Sequence, residues 1–495
     1  MEKYLYGASI QGIQSFIFKT SKLKEIVGAS EIIENLCTLF FRKILDRRYN
    51  ENNSIVEAAG NIKYIFDNKE DAEFLVARFP REVMKYAPGI TISQAIQKID
   101  NHVTYNDMIK LEDKLKAQRN KQIRPLDLGL LITERSRRTG EVGSEYKKEV
   151  LDKASAIKAK QNEIATYRLV GRILRQNIQK ENIFFDLAEL KSKENNHSFI
   201  AIIHADGNGL GKLIQQLGQQ LERLFPEEVA EGYRQFSKVI SIASENAVKD
   251  ALLKVQESHP NFKFRPIILG GDDLTIICEA QGSIDFTHHF LQAFEENTKS
   301  QIKERLGKYN LPTTHLTACA GIVYAKANYP FHYSIALAES LCAEAKKVAK
   351  SMPETESCYL FHKIQSSFVG SFNEIKKREL TAINNNENKI ELSFGPYFIN
   401  SDTQMLNKAQ STELIDNLNK FITEDVPLSQ LRKWISELYN DFNAADDLME
   451  RIIKVLNDKK KKTSYGTIRL ENLKTESLSC TPVYDLLLLS SFYLK

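Results

Sequence analysis

A chain of 495 residues is long enough for about two to four separate hydrophobic cores. Its 42% hydrophobic and 27% charged residues are ordinary for a globular protein. No apolar run approaches the roughly 20 residues of a membrane-spanning helix, and the opening MEKYLYGASIQG lacks the apolar core of a signal peptide, so a cytoplasmic protein with no membrane contact is expected. The net charge of +4 selects no partner, and six cysteines without a C-x-x-C pair argue against a zinc ribbon or a disulfide framework.

In chain order, one pattern is read twice. Tyr4–Ser9 is strand-like, Ser15–Ile44 is helical, and the runs SIVEA and IKYIF flank a turn containing Gly60-Asn61. Asp71–Tyr86 is helical again, and a β-like stretch follows Gly89. Residues 105–195 are polar, helical and basic, with cations concentrated from Lys114 to Lys160 and including Arg135, Arg137 and Arg138. That stretch, and Lys459–Lys462 near the C-terminus, offer contacts for phosphate backbones, although a solvated face is the commoner reason for such runs.

The second copy opens with the continuous apolar run Phe199–Ala205 (FIAIIHA) and continues into a helix from about Gly232 to Ser258. The short β-rich runs RPIIL and LTIIC flank Gly270-Gly271-Asp272-Asp273. Phe286–Leu306 reads as helix, His315–Tyr324 as strand and His332–Lys350 as helix. The order β-α-β-β-α-β is that of the ferredoxin-like split unit. The expected fold class is therefore α+β: two such domains (1–104 and 196–370), a helical basic insert (105–195) and a helical C-terminal domain (371–495). In the last, Leu414, Leu418, Phe421, Leu431, Trp434, Ile435, Leu438 and Tyr439 are spaced for an amphipathic bundle. Where the second hairpin carries two aspartates the first carries Ala59-Gly60-Asn61, so only one copy is acidic.

A hairpin with Gly270 and Gly271 at its turn lets backbone approach a ligand and presents Asp272 and Asp273 together. In this topology the first strand lies beside the third, and the first ends at Asp206, followed by Gly207-Asn208-Gly209-Leu210-Gly211-Lys212. Asp206, Asp272 and Asp273 thus converge, and clustered carboxylates with hard oxygen donors select Mg²⁺ or Mn²⁺. The turn Gly207-Asn208-Gly209 fits a cradle for phosphate at a helix N-terminus, so a nucleoside triphosphate is the natural ligand. Lys346 or Lys347 could hold its phosphates as a point charge.

These residues resemble the large palm-domain subunit of type III CRISPR effector complexes, the CRISPR polymerase or Cmr/Csm large-subunit family. GIQSFIF…LKEIVGAS (Gly12 to Ser30) is similar to the opening of its first palm; HADGNGLGKL (His204 to Leu213) and LGGDDLTII (Leu269 to Ile277) look like the metal motifs of its second. ACAGIVYAKANYPFHYSIALAESLCAEAK (Ala318 to Lys346) and LFHKIQSS (Leu360 to Ser367) resemble the elements that follow. The resemblance implies a metal-dependent nucleotidyl cyclase making a second messenger of antiviral defence from ATP. The product is a cyclic oligoadenylate, or in some members an AMP conjugate with a molecule such as S-adenosylmethionine. It implies metal binding by Asp206, Asp272 and Asp273, nucleotide binding by Gly207, Asn208, Gly209, Gly270, Gly271 and Lys346, and a place for Ser30, Gly60 and Asn61 near the second nucleotide. Implied partners are the RNA-guided effector subunits and target RNA, or a second copy of the chain in a stand-alone relative.

Three departures matter. Many members open with an HD nuclease domain, whereas this sequence opens on the first palm, so no DNA cleavage is expected. The region Leu131 to Gly143, where many carry a four-cysteine zinc ribbon, has no cysteine, so no structural zinc is expected. The first metal motif reads Asp206-Gly207-Asn208 where relatives often place another acid, which leaves the number of ligands open. Two other readings compete: a diguanylate-type cyclase, disfavoured by Leu274 after the acidic pair and by the duplicated palm, and a non-catalytic RNA- or subunit-binding scaffold, disfavoured by the three acids.

Overall fold

Both β-α-β-β-α-β patterns close into sheets with the first strand central. The computed structural model describes residues 2–20, 22–121, 132–173, 180–190, 199–365, 370–383, 389–400, 409–423, 426–458 and 480–493. The first palm comprises β1 (Lys3–Gln11), α1 (Ile13–Phe18), α2 (Leu23–Cys37), α3 (Leu39–Leu45), β2 (Ser54–Ala58), β3 (Asn61–Phe66), α4 (Lys69–Tyr86) and β4 (Thr91–Ile99). Its antiparallel sheet has the order β2-β3-β1-β4. The single helix expected over Ser15–Ile44 is in fact three. It breaks for the second time at Thr38, whose backbone (φ −115°, ψ −99°) has left the helical region. The Thr38 hydroxyl donates to the Glu34 carbonyl at 2.8 Å, a local bond that competes with helix continuation.

The insert begins with α5 (Tyr105–Arg119), started by a reciprocal cap between Thr104 and Asp107. A hairpin the sequence did not announce, β5 (Gly143–Lys147) and β6 (Glu149–Asp152), leads into α6 (Lys153–Ile173), which packs along α2. Arg138 needs correction here. Expected on a solvated face or against a phosphate backbone, it donates to Glu25 of α2 at 2.5 Å and pairs with Glu149, clamping the insert to the first palm.

The second palm comprises β7 (Phe199–Asn208), α7 (Leu210–Leu224), α8 (Val229–Ser258), β8 (Phe264–Gly270), β9 (Asp273–Glu279), α9 (Ser283–Leu306), β10 (Thr317–Lys326), α10 (Phe331–Ser351) and β11 (Cys358–Lys363). The helix whose N-terminus follows Gly209 is α7, and its Leu213, Leu217 and Leu221 form a buried i, i+4 stripe. The run FIAIIHA has no polar alternation because β7 is covered on both faces. Ala201, Ile203 and Ala205 join one core with α8 and α9, while Ile200 and Ile202 join the other with α10. The second core also contains Tyr6, Ala8 and Ile32, so the two palms share apolar packing.

Beyond residue 370 come α11 (Phe372–Glu379), β12 (Thr381–Ile383), β13 (Lys389–Glu391), β14 (Tyr397–Phe398), α12 (Ser411–Thr423), α13 (Leu428–Asn440), α14 (Phe442–Asp458) and α15 (Val483–Ser490). The helices are joined by a small β12–β13 hairpin, and β14 pairs with β11, giving the sheet order β14-β11-β10-β7-β9-β8. Seven of the eight apolar positions read as a bundle are buried. The eighth, Tyr439, is 41% exposed and donates its hydroxyl to the Glu379 carbonyl at 2.5 Å. The basic run Lys459–Lys462 lies outside the described residues. Among those described, no helix is long and apolar enough to cross a membrane.

How closely α10 lies on the sheet is set by Gly321 of β10. A Cβ there would sit 2.0 Å from the Ala338 carbonyl oxygen and 2.7 Å from the Cys342 nitrogen, both backbone atoms. Gly321→Ala is therefore expected to lower stability by about 1–3 kcal/mol through overpacking, read as a fall in the midpoint of denaturant unfolding.

Candidate functional site

The register of β7 brings the acids together. Its antiparallel pairing with β9 sets Ala205 opposite Leu274, so Asp206 and Asp273 emerge side by side at the same sheet end. Gly270 pairs with Asp273 across the β8–β9 hairpin, leaving Gly271-Asp272 as a two-residue loop. Gly271 has φ +65° and Asp272 does not have positive φ, the pattern of a type II′ turn with glycine in its first central position. Gly207 is required for a different reason. A Cβ there would lie 2.8 Å from the Asp272 Cβ, so any side chain would push the hairpin away from β7. The Ser244 hydroxyl of α8 holds the loop from behind, donating to the Gly271 carbonyl at 2.7 Å.

One oxygen from each of Asp206, Asp272 and Asp273 lies within 4.8 Å of the others, a cluster able to hold a metal ion. Burial, reinforced by the Asp206 charge, raises the Asp272 carboxyl to about 6. Burial and then the charges of Asp272 and Asp206 raise that of Asp273 to about 7. Lys346 opposes this: its Nζ donates to Asp206 Oδ2 at 2.5 Å and to the Gly207 carbonyl at 2.7 Å. Lys347 points away and pairs with Glu344 at 2.6 Å, which separates the two lysines that the sequence left equivalent. Asn208 is buried at the strand end, its amide donating to Thr317 Oγ1 at 3.1 Å and Cys319 Sγ at 3.2 Å. Gly209, with φ +80°, caps α7.

Between the palms a cavity of about 420 Å³ opens beside Gly270 and Asp273. Ser30 of α2 lines it. So does Ala59 at the tip of the first hairpin, whose Cβ would lie 3.3 Å from a Cβ at Gly271. Gly60 is buried under Ile13, and Asn61 turns outward, donating to the Ala59 carbonyl at 3.1 Å.

The sequence reading missed several groups here. Arg172, at the end of α6, donates to Glu245 of α8 at 2.9 and 2.6 Å, to Glu34 of α2 at 3.2 Å and to the Leu269 carbonyl of β8 at 3.4 Å. One guanidinium thus joins the insert and both palms at the cavity wall, while burial still holds the Glu34 carboxyl above its ordinary range. No local motif marks Arg172, because its partners lie far away in sequence. Glu339, a fourth acid near Asp273, was legible: seven residues before Lys346, it lies on the same helical stripe.

Two outcomes follow. The native state keeps its protons on Asp272 and Asp273 longer than the unfolded chain, so without metal its stability should fall as pH rises from about 4 to about 7 and stay low above that. Asp272→Asn/Asp273→Asn should flatten the decline, as read from melting temperatures in chelator. Arg172→Ala should cost roughly 1–3 kcal/mol by stranding Glu34 and Glu245. Pairing it with Glu34→Gln should recover part of that loss in a double-mutant cycle.

Comparison with known proteins agrees with this geometry. Residues 199–352 match the family model described as Cas10/Cmr2, second palm domain. Among solved structures, the Csm1-Csm4 subcomplex of the type III-A CRISPR-Csm interference complex is similar with a TM-score of 0.57 at 12% identity, covering 100% of this chain and 70% of that one. A Csm1-Csm4 cassette in complex with cA4 gives 0.56 at 11% identity, covering 99% and 70%. The cassette in complex with one ATP gives 0.53 at 12%, covering 100% and 70%. At such identities the likeness is one of fold. No curated protein matches the chain.

Proposed function

We propose that this chain, whose residues 199–352 match the Cas10/Cmr2 second-palm model, is a metal-dependent nucleotidyl cyclase of a type III CRISPR system, acting on ATP. The observation that carries the reading is the Asp206, Asp272 and Asp273 cluster beside a cavity to which both palms contribute.

The residues present suit a divalent cation. They offer three hard oxygen donors within 4.8 Å, two of them with proton affinities raised by burial and then by neighbouring negative charge, and a bound cation would offset both. Asp206, Asp272 and Asp273 would hold Mg²⁺ or Mn²⁺. When bound, such ions make a ribose hydroxyl more acidic and stabilise leaving pyrophosphate. The remaining chemistry belongs to the chain. Gly207, Asn208 and Gly209 carry the backbone past the place where phosphates would lie, and Gly270 and Gly271 keep side chains out of the way. Lys346 supplies a positive charge there. The cavity at Ser30 and Ala59 orients a second nucleotide so that its hydroxyl meets the first in line.

Glu31 and Glu34 line that cavity along with Arg172, the one cation among its described lining residues and itself engaged by Glu34 and Glu245, so the walls suit an uncharged base or a cationic group better than a triphosphate. A second ATP held by its adenine and S-adenosylmethionine both meet that requirement, and the mass of the product separates them. The Csm1 of the similar structures is seen with Csm4. By analogy this chain would assemble with effector subunits on target RNA, with palms at 1–104 and 196–370, an insert at 105–195 and a C-terminal domain at 371–495.

The test is to incubate the chain, alone and with its effector subunits, with each nucleoside triphosphate and Mg²⁺ or Mn²⁺, with and without S-adenosylmethionine, and to identify products by mass spectrometry. Pyrophosphate with an oligoadenylate or AMP conjugate is expected. Asp272→Asn/Asp273→Asn should lower its rate by about a hundredfold to a thousandfold or more without unfolding the protein. Unchanged turnover in that variant would refute the site. Absence of product under every condition would favour the scaffold reading.

A further inference from the structure

At the opposite end of the second sheet, Lys363 closes β11 in register with Tyr324 of β10, which in turn pairs with Ala201 of β7. A cavity of about 310 Å³, near the lower limit for small-molecule sites, opens there between β11, α13 and α15. We propose that this groove binds a small phosphomonoester, held by Lys363 and Arg432 with its organic body against Leu487 and Leu488. The site is independent of the cyclase reading and lies at the far end of the sheet from the carboxylates.

The charge pattern carries the argument. Lys363 and Arg432 both line the groove, and among the described residues none that lines it is acidic. Lys363 is fixed in place: its Nζ donates to Ser491 Oγ at 3.0 Å and lies 4.4 Å and 4.9 Å from the ring centroids of Phe199 and Phe492. Partial burial first, and then the charge of Arg432, hold its ammonium below the ordinary lysine range, as expected for a cation without an acid to balance it. Arg432 is exposed and forms no ion pair among the described residues. Two acids of neighbouring elements are engaged elsewhere. Asp485 of α15 is buried, accepting from the Tyr397 hydroxyl at 2.7 Å and the Phe394 nitrogen at 3.0 Å, and Glu379 pairs with Arg378.

Two like charges drawn to one groove are balanced best by a dianion. A guanidinium gives paired donors and an ammonium a point charge, the combination that grips a terminal phosphate. The Gln365 amide, which donates to the Tyr484 hydroxyl at 3.0 Å, adds neutral hydrogen-bonding capacity on the rim. Leu487 and Leu488 are less than a tenth exposed and form an apolar floor, which inorganic phosphate alone would leave uncovered.

The test uses the full chain in chelator, so that phosphate cannot collect at the carboxylate cluster, with ionic strength held constant. Ribose 5-phosphate and inorganic phosphate are titrated by calorimetry and thermal shift against the wild type, Lys363→Gln, Arg432→Gln, the double variant and Lys363→Arg. Ribose 5-phosphate is expected to bind more tightly than phosphate, and about tenfold more weakly for each cation removed. Lys363→Arg should retain binding, and without ligand Arg432→Gln should melt no lower than wild type, because a repulsion has been removed. Absence of ribose 5-phosphate binding to the wild type at millimolar concentration overturns the proposal, as does equal binding to wild type and a folded double variant.

Discussion

Three carboxylates drawn within a few ångströms of one another, two of them largely removed from water, repel, and much of the second palm can be understood as what forces them to stay. The β7–β9 register sets Asp206 beside Asp273. A two-residue loop with glycine in its first central position brings Asp272 around the end of the strand. Gly207 leaves room for the approach, Ser244 ties the loop to α8, and Lys346 answers one negative charge with a positive one. The register and the glycines are steric requirements of the hairpin, and Lys346 is the feature that answers its charge. A sheet end that concentrates charge in this way is poised for a cation, and its local instability is tolerated because β7 is anchored by apolar packing on both faces.

The first palm has the same strand order and none of the acids, and its contribution is spatial. The tips of the two hairpins meet at Ala59 and Gly271, and the cavity beside them is walled by α2 on one side and β8 on the other. Arg172 makes the insert part of that wall, since its guanidinium reaches an acid in each palm and the carbonyl just before Gly270. A movement of α6 relative to either palm would therefore alter the cavity wall. Two sheets of like strand order thus divide the work, one carrying the charge and the other shaping the neighbouring space.

Legibility followed the range of the interactions. Both split units and the acidic turn could be read from strand-length apolar runs and glycines, since those signals are local. The convergence of Asp206 with the hairpin needed only the topology. What escaped was non-local or masked by composition. The glycine-rich start of α7 hid a leucine stripe, the basic composition of the insert hid the β5–β6 hairpin, and Arg138 looked like a solvated charge until Glu25 was placed beside it. Ser244, Glu245 and Arg172 acquire meaning only when α6 and α8 meet β8, which nothing in their own neighbourhood announces. Lys346 and Lys347 are adjacent and chemically equal, and only the face of α10 that meets the sheet distinguishes them.

The second sheet carries unbalanced charge at both ends and apolar side chains between. From Cys319, opposite Asp206, to Tyr324, opposite the strand position of Lys363, is five residues of β10, or about 17 Å at the rise of an extended strand. That separation exceeds the roughly 8 Å screening length at physiological salt, so the acids at one end cannot neutralise the cations at the other through solvent. Each end must find its own counter-charge. At the carboxylate end the described residues supply Lys346 against the three clustered acids and nearby Glu339; at the other they supply two cations and no facing acid. Both ends are thus incomplete for the same electrostatic reason, and the sheet that joins them holds each in place by packing rather than by charge.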